Sequence, residues 1–229
     1  MRPPISEPPL SPLPITRRRL VALTGAGLGL ALVGGCDRPA TWHSTDVSGS
    51  FSNLSFTMTR ASDGKAVNAA DYRGRVVMLY FGYTFCPDVC PTTLANVANV
   101  LSGLGDAAKH VSFLFVTVDP NRDSASVLAD YVQNFGPEVE GLRGTPDQLA
   151  ALARRYRVVY SVTPESPGHP YEVTHGSAIY VFDASGAARL VVTSLSSGQP
   201  DIPGVTADLR QLIQQANPPG LLDRLLQMV

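Results

Sequence analysis

A single α/β domain, with a central mixed sheet flanked by helices, is the fold class this sequence predicts. Three observations predict it. Residues 75–81 (RVVMLYF) and 111–118 (VSFLFVTV) are nearly continuous apolar runs of strand length, the pattern of strands covered on both faces. Between them Leu94, Val97, Ala98, Leu101 and Leu104 recur at helical spacing, so the two strands are joined through a helix and run parallel by a right-handed crossover. The chain has 229 residues, 44% hydrophobic and 16% charged, which suits one packed domain of ordinary size with appendages.

Each element can be justified in order. Leu54, Phe56 and Met58 alternate over residues 54–59 and predict a strand; residues 61–64 (ASDG) turn the chain, and Ala66-Val67 is a short return, making an N-terminal hairpin. The buried strand at 75–81 leads into a loop with two cysteines, and the helix after it stops at Gly103 and Gly105. After the second buried strand, Val127, Leu128, Tyr131, Val132 and Phe135 predict a helix over 124–135. Thr145, Pro146 and Gln148 open another as N-cap, first-position proline and capping-box glutamine. Residues 178–182 and 189–192 form a hairpin through 183–186 (DASG), and residues 207–215 form the last helix. Hairpin, strand, helix, strand, two helices, hairpin and helix is the thioredoxin-like plan with an N-terminal β-hairpin extension. The domain is expected over residues 51–216, with a polar tether over 36–50 and a tail over 217–229.

Residues 1–35 read as an export signal rather than as part of the fold. Six prolines in the first sixteen residues forbid a helix, and Arg17, Arg18 and Arg19 precede an uncharged run from Leu20 to Gly35. That run is 16 residues long, whereas spanning a bilayer core takes roughly 20. The arginines after Thr16 look like a twin-arginine signal. Val33-Gly34-Gly35-Cys36 resembles a bacterial lipobox, which would make Cys36 the lipidated residue; the alternatives are an uncleaved membrane anchor and plain secretion. Asp37 resembles the signal that keeps such lipoproteins at the inner membrane. The domain is therefore expected in the bacterial cell envelope, on the periplasmic face of that membrane. Without residues 1–35 the chain carries 14 basic and 18 acidic residues, which argues against nucleic acid as a partner.

With Cys36 set aside, Cys86 and Cys90 remain as a pair in residues 80–91 (YFGYTFCPDVCP). They fall between a core strand and a helix start, where sites of open α/β sheets gather. Pro87 and Pro91 lack backbone N–H groups and belong in the loop or the first helical turn. A helix amino terminus favours thiolate over thiol. Across one helical turn the two Cα atoms stand ~6 Å apart, so the pair could oxidise or could hold one soft metal ion.

Four histidines are candidates for a third ligand. His43 lies in the tether, His110 at the edge of the domain opposite Cys86, and His169 in an exposed loop. His175 directly precedes the strand at 178–182, and in a thioredoxin-like fold its loop faces the cysteine loop. Two thiolates and an imidazole suit copper, as Cu(I) or Cu(II), and do not suit Mg²⁺ or Ca²⁺; Zn²⁺ is chemically possible but normally takes a fourth ligand.

FGYTFCPDVCPTTL, VTVDPNRD and the His175 segment together resemble the Sco/SenC family of copper-binding, thioredoxin-like proteins, over roughly residues 46–215. The resemblance implies Cys86, Cys90 and His175 as copper ligands. It also implies membrane-tethered delivery of copper, or of electrons, to the dinuclear copper site of cytochrome c oxidase subunit II. Gly176 stands where the family pattern has serine, and no proline adjoins His175 as it does in redox members of the fold. Asp119, at the end of the second buried strand, is a candidate acceptor near the site, or else a turn aspartate.

Three functions follow in order. The first is a copper chaperone passing its ion to an acceptor by ligand exchange. The second is a thiol–disulfide oxidoreductase using Cys86 and Cys90 as attacking and resolving thiols to keep target cysteines reduced. A peroxidase comes last, because no arginine sits in the cysteine loop.

Overall fold

The structure, a computed structural model, describes residues 41–168 and 171–216. Residues 1–35, read above as an export signal, and Cys36, His169 and the expected tail over 217–229 lie outside the described residues. The described residues from Trp42 to Ala216 belong to one compact unit.

Its centre is β4 (Val76–Gly82) beside β5 (Val111–Thr117), parallel in the register Val76↔Val111 to Gly82↔Thr117. Every residue of both strands is buried. That explains their unbroken apolar sequence, since a strand covered on both faces has no solvent side to make polar. β5 also pairs in parallel with β6 (Val139–Arg143), and β4 pairs antiparallel with β9 (Ile179–Phe182). β10 (Ala188–Val192) and β1 (Thr45–Asp46) extend one edge; β2 (Thr57–Arg60) and β3 (Ala66–Asn68) form the N-terminal hairpin on the other. The eight-stranded order is β1-β10-β9-β4-β5-β6-β2-β3, a mixed sheet.

Helix α1 (Val89–Leu104) buries Cys90, Thr93, Leu94, Val97, Val100, Leu101 and Leu104, the stripe visible in the sequence carried back one turn to the second cysteine. Helix α2 (Ala125–Val132) is capped by the Ser124 side chain and runs on into a short 3-10 turn over Gln133–Phe135. Helix α3 (Pro146–Arg155) has the expected capping box: Thr145 Oγ1 accepts from Gln148 N–H at 3.2 Å, and Gln148 Oε1 accepts from Thr145 N–H at 2.8 Å. Helix α4 (Ile202–Ala216) starts five residues before the sequence-based expectation and packs on α1.

Three differences from the sequence-based expectation stand out. The segment expected to be a tether as far as Ser50 is docked from Trp42 onward. β1 pairs with β10, and the buried Asp208 carboxylate accepts the backbone N–H groups of His43 and Ser44 at 2.9 and 2.8 Å. Two residues are too short a strand to show a period, so only the partner reveals it. β6 was not expected either: Gly141 and two charged residues interrupt VEGLR, yet the strand is held between β5 and β2. A Cβ at Gly141 would come within 2.6 Å of Leu128 of α2, so the glycine is what lets that helix lie close. Finally, β7 (Tyr160–Thr163) and β8 (Glu172–His175) form a separate two-stranded sheet, which puts His175 at a strand end rather than in a loop.

Candidate metal centre

The centre is assembled from two distant segments. β4 ends at Gly82, and the chain then turns through Tyr83–Pro87 into the amino end of α1. Cys86 is the last loop cysteine and partly exposed; Cys90 lies in the first turn of α1 and is fully buried. Pro87 precedes the helix and Pro91 sits in its first turn, where no backbone donor is needed. The Asp88 side chain does not cap the helix; the Cys86 sulfur instead accepts the backbone N–H of Cys90 at 3.4 Å. Both cysteines are free thiols.

His175 comes from 85 residues further along. Tyr160↔His175 pairing holds β8 in place, and the ring stands edge-on against Tyr80 and Tyr83, with centroids 5.9 and 5.6 Å away. Its Nε2 is 3.2 Å from Cys90 Sγ, and its Nδ1 is 3.0 Å from the Gly176 carbonyl oxygen. A carbonyl can only accept, so Nδ1 carries the proton and Nε2 presents its lone pair to the sulfur. Burial lowers the His175 pKa from its usual value, although the backbone of Gly176 and Phe81 opposes that shift, so the ring is favoured in the neutral form a metal needs. The donor atoms of Cys86, Cys90 and His175 all lie within 4.8 Å of one another. Two sulfurs and one imidazole nitrogen at that spacing can hold one soft ion.

The thiols are not equivalent. Burial pushes Cys86 up, but hydrogen bonds from the Asp88 and Cys90 backbone and from the Cys90 and Tyr83 side chains together outweigh it, and the net shift is downward. Cys90 is pushed up to about 12, chiefly by burial and further by the neighbouring Cys86 charge. Gly82 makes the close approach possible: a Cβ there would lie 2.8 Å from the Phe115 ring and 2.9 Å from Cys90 Sγ. Gly176 has open space around it, so nothing in the packing requires its departure from serine.

Asp119 is fully buried but makes no hydrogen bond to Cys86, Cys90 or His175. Its carboxylate binds Arg122 and accepts from the Tyr171 hydroxyl at 2.8 Å. Asp123, four residues on, is the acid that braces the cysteine loop. It accepts from Thr84 N–H at 3.1 Å, from Thr84 Oγ1 at 2.6 Å and from the Thr117 hydroxyl. Both acids lie in DPNRD, but their spacing in sequence does not say which of them faces the loop. Arg122 was also missed. It stacks over Tyr171 at 4.0 Å, Phe85 at 4.9 Å and Tyr83 at 5.8 Å, so an arginine does adjoin the cysteine loop, supplied from another segment. Its pairing with Asp119 spends its charge there.

The other described histidines are placed elsewhere. His43 is exposed and 3.7 Å from Asp201, and His110 ends the turn before β5, at the opposite end of the sheet from Cys86. An open cleft of about 410 Å³, lined by Tyr83, Cys86, Pro87, Val89 and His175 among others, gives access to the sulfur–imidazole cluster. Val89, 38% exposed, adds apolar surface to its lining, and Phe85, next to Cys86 in the chain, is 55% exposed.

Residues 46–214 match the family model described as SCO1/SenC. The chain is 39% identical over 183 residues to the mitochondrial SCO2 homolog of Bos taurus, an alignment covering 75% of this chain and 66% of that protein. Against the human SCO2 homolog the matched stretch spans 47% of the relative's length. Among solved structures, copper-bound ScoI of Bradyrhizobium japonicum shares 34% identity at a TM-score of 0.61, covering 70% of this chain and 98% of that one. Apo Sco1 of Thermus thermophilus shares 31% at a TM-score of 0.66, covering 76% and 98%.

Proposed function

The chain belongs to the SCO1/SenC family, and on that premise we propose that it carries copper on Cys86, Cys90 and His175 and hands it to the dinuclear copper site of cytochrome c oxidase subunit II during oxidase assembly. The observation that carries this reading is the convergence of three soft donors from two distant segments to within 4.8 Å. The copper-bound ScoI relative supports copper as the ion. Copper is cargo here. Thiolates suit Cu(I), and the imidazole suits Cu(II) as well.

The residues divide the work. Both sulfurs bind as thiolates, so loading needs a reduced pair and releases protons. Cys90 is fixed in the core, whereas Cys86 and His175 line the cleft, and Cys86 is the sulfur an acceptor's ligands can reach first. Copper titration of the purified protein tests the assignment. Stoichiometric binding by the wild type is expected to fall by at least about 10-fold in affinity in Cys86→Ser, Cys90→Ser and His175→Ala. Unchanged binding in all three sinks the reading.

One observation favours a second reading, reduction of disulfides in the acceptor. An accessible thiol of lowered pKa beside a buried thiol of raised pKa is an attacking and resolving arrangement. His175→Ala separates the two readings, because copper retention would be lost while disulfide exchange continued. We infer a location at the periplasmic face of the inner membrane, with acylated Cys36 or an uncleaved anchor as the tether; the intact mass of the membrane-extracted chain distinguishes these.

A further inference from the structure

Behind Cys90, on the side away from the cleft, lies a hydroxyl that the metal centre as described does not use. Tyr80 is fully buried in the middle of β4, its ring packed against Phe113 and Phe115 at 6.1 and 5.9 Å. Its hydroxyl is 3.7 Å from Cys90 Sγ, within hydrogen-bond distance for sulfur, and its ring meets His175 edge-on at 88°. One side chain therefore touches two of the three donor residues.

The donor directions are consistent along the whole row. The His175 Nδ1–H is given to the Gly176 carbonyl, which leaves Nε2 to accept from the Cys90 thiol, which leaves the Cys90 sulfur lone pairs to accept from the Tyr80 hydroxyl.

We propose that Tyr80 is a positioning residue of this centre, its buried hydroxyl donating to the Cys90 sulfur and so setting how strongly that sulfur gives electrons, both to a bound copper ion and to the Cys86–Cys90 redox couple. The copper half of this rests on the reading above; the redox half does not. A hydroxyl drawing charge from the sulfur makes it a weaker donor, which raises the energy of thiolate-to-copper charge transfer. It also stabilises the reduced pair, because a disulfide sulfur is a poorer acceptor than a thiol or thiolate.

Tyr131 supplies the control. It too is a tyrosine packed on Phe115, at 5.7 Å, but its buried hydroxyl has no hydrogen-bond partner among the described residues. Tyr80→Phe and Tyr131→Phe each remove one buried hydroxyl and keep the ring. Two readouts are taken on the full chain. One is the charge-transfer absorption after Cu(II) addition. The other is the metal-free equilibrium in which the two thiols give two electrons and two protons to glutathione disulfide, forming the Cys86–Cys90 bond and two glutathione thiols.

Tyr80→Phe is expected to move the absorption to lower energy and to shift the equilibrium about 5-fold toward the disulfide, the size of one ordinary hydrogen bond. Tyr131→Phe should move neither. Replacement of Tyr80 by 3-fluorotyrosine, a stronger donor of the same shape, should move both readouts the opposite way and keeps the test decisive if the phenylalanine variant folds poorly. Unchanged readouts in the Tyr80 variants, or equal shifts in the Tyr131 control, overturn the proposal. A wild type that takes up no copper would overturn the copper reading instead, and the glutathione equilibrium would still decide the role of Tyr80.

Discussion

Cys86 and Cys90 are four residues apart and chemically alike, yet the fold separates them. One sulfur faces a cleft with backbone N–H groups around it; the other is sealed among Tyr80, Phe115 and α1. Reactivity follows the thiolate, so iodoacetamide at pH 7 should label Cys86 at least about 10-fold faster than Cys90, as read by peptide mass. The pH dependence has a definite sign. The Cys86 rate should climb as pH rises and level off below the pH at which an ordinary cysteine would, because the thiol loses its proton early. Cys90, held to about 12, should stay slow across that whole range. Equal labelling, or a Cys86 plateau at or above the ordinary cysteine value, would contradict the difference. The same contrast accounts for the division of labour proposed above, an exchangeable sulfur in front and a fixed one behind.

Between elements, the site depends on acids that anchor loops. Asp123 stands just before α2, yet it fastens the loop after β4, reaching across 39 residues to the amide and hydroxyl of Thr84. Without it the two buried or half-buried Thr84 and Thr117 groups lose their acceptor, and Phe85-Cys86 loses its brace. Asp123→Ala is therefore expected to cost about 1–3 kcal/mol by denaturant unfolding and to weaken copper binding on the order of 10-fold. Asp119→Ala should disturb Arg122 and Tyr171 first, with a smaller effect on copper, since it bonds none of the three donors. A larger loss of copper binding from Asp119→Ala than from Asp123→Ala would reverse the assignment. DPNRD was legible as a segment that matters; which acid does what was not, because both precede the same helix and only the path of the loop distinguishes them.

At the scale of the molecule, the sheet is completed by a segment that reads as linker. β1 and the residues before it close the edge beyond β10, and the Asp208 carboxylate of α4, 1% exposed, is satisfied by the His43 and Ser44 amides. A buried carboxylate with two charge-assisted bonds is costly to disturb from either side. Asp208→Ala should lower stability by about 1–3 kcal/mol and expose residues 42–50 to protease while leaving Cys86, Cys90 and His175 in place. Loss of copper binding with no change in protease sensitivity would show that this edge acts otherwise. The unit so formed starts at Trp42, nine residues before the expected boundary, and α4 is its last described element.

What the amino-acid order settled by itself was whatever is encoded locally. The buried strands β4 and β5 announce themselves as apolar runs, α1 as a periodic stripe, and α3 by its Thr145 and Gln148 caps. The Cys86–Cys90 pair shows itself by its place between strand and helix. Those signals survive because the physics behind them, burial of contiguous residues and the capping of a helix end, acts over a few residues. The tertiary structure alone decided β1, β6 and the β7–β8 sheet, the role of Asp123 rather than Asp119, the approach of Arg122, and the contact of Tyr80 with Cys90. Each of these depends on a partner tens of residues away or on a side chain's direction out of a strand. A hydrogen bond or a ring contact closed across such a distance leaves no period in the sequence to read.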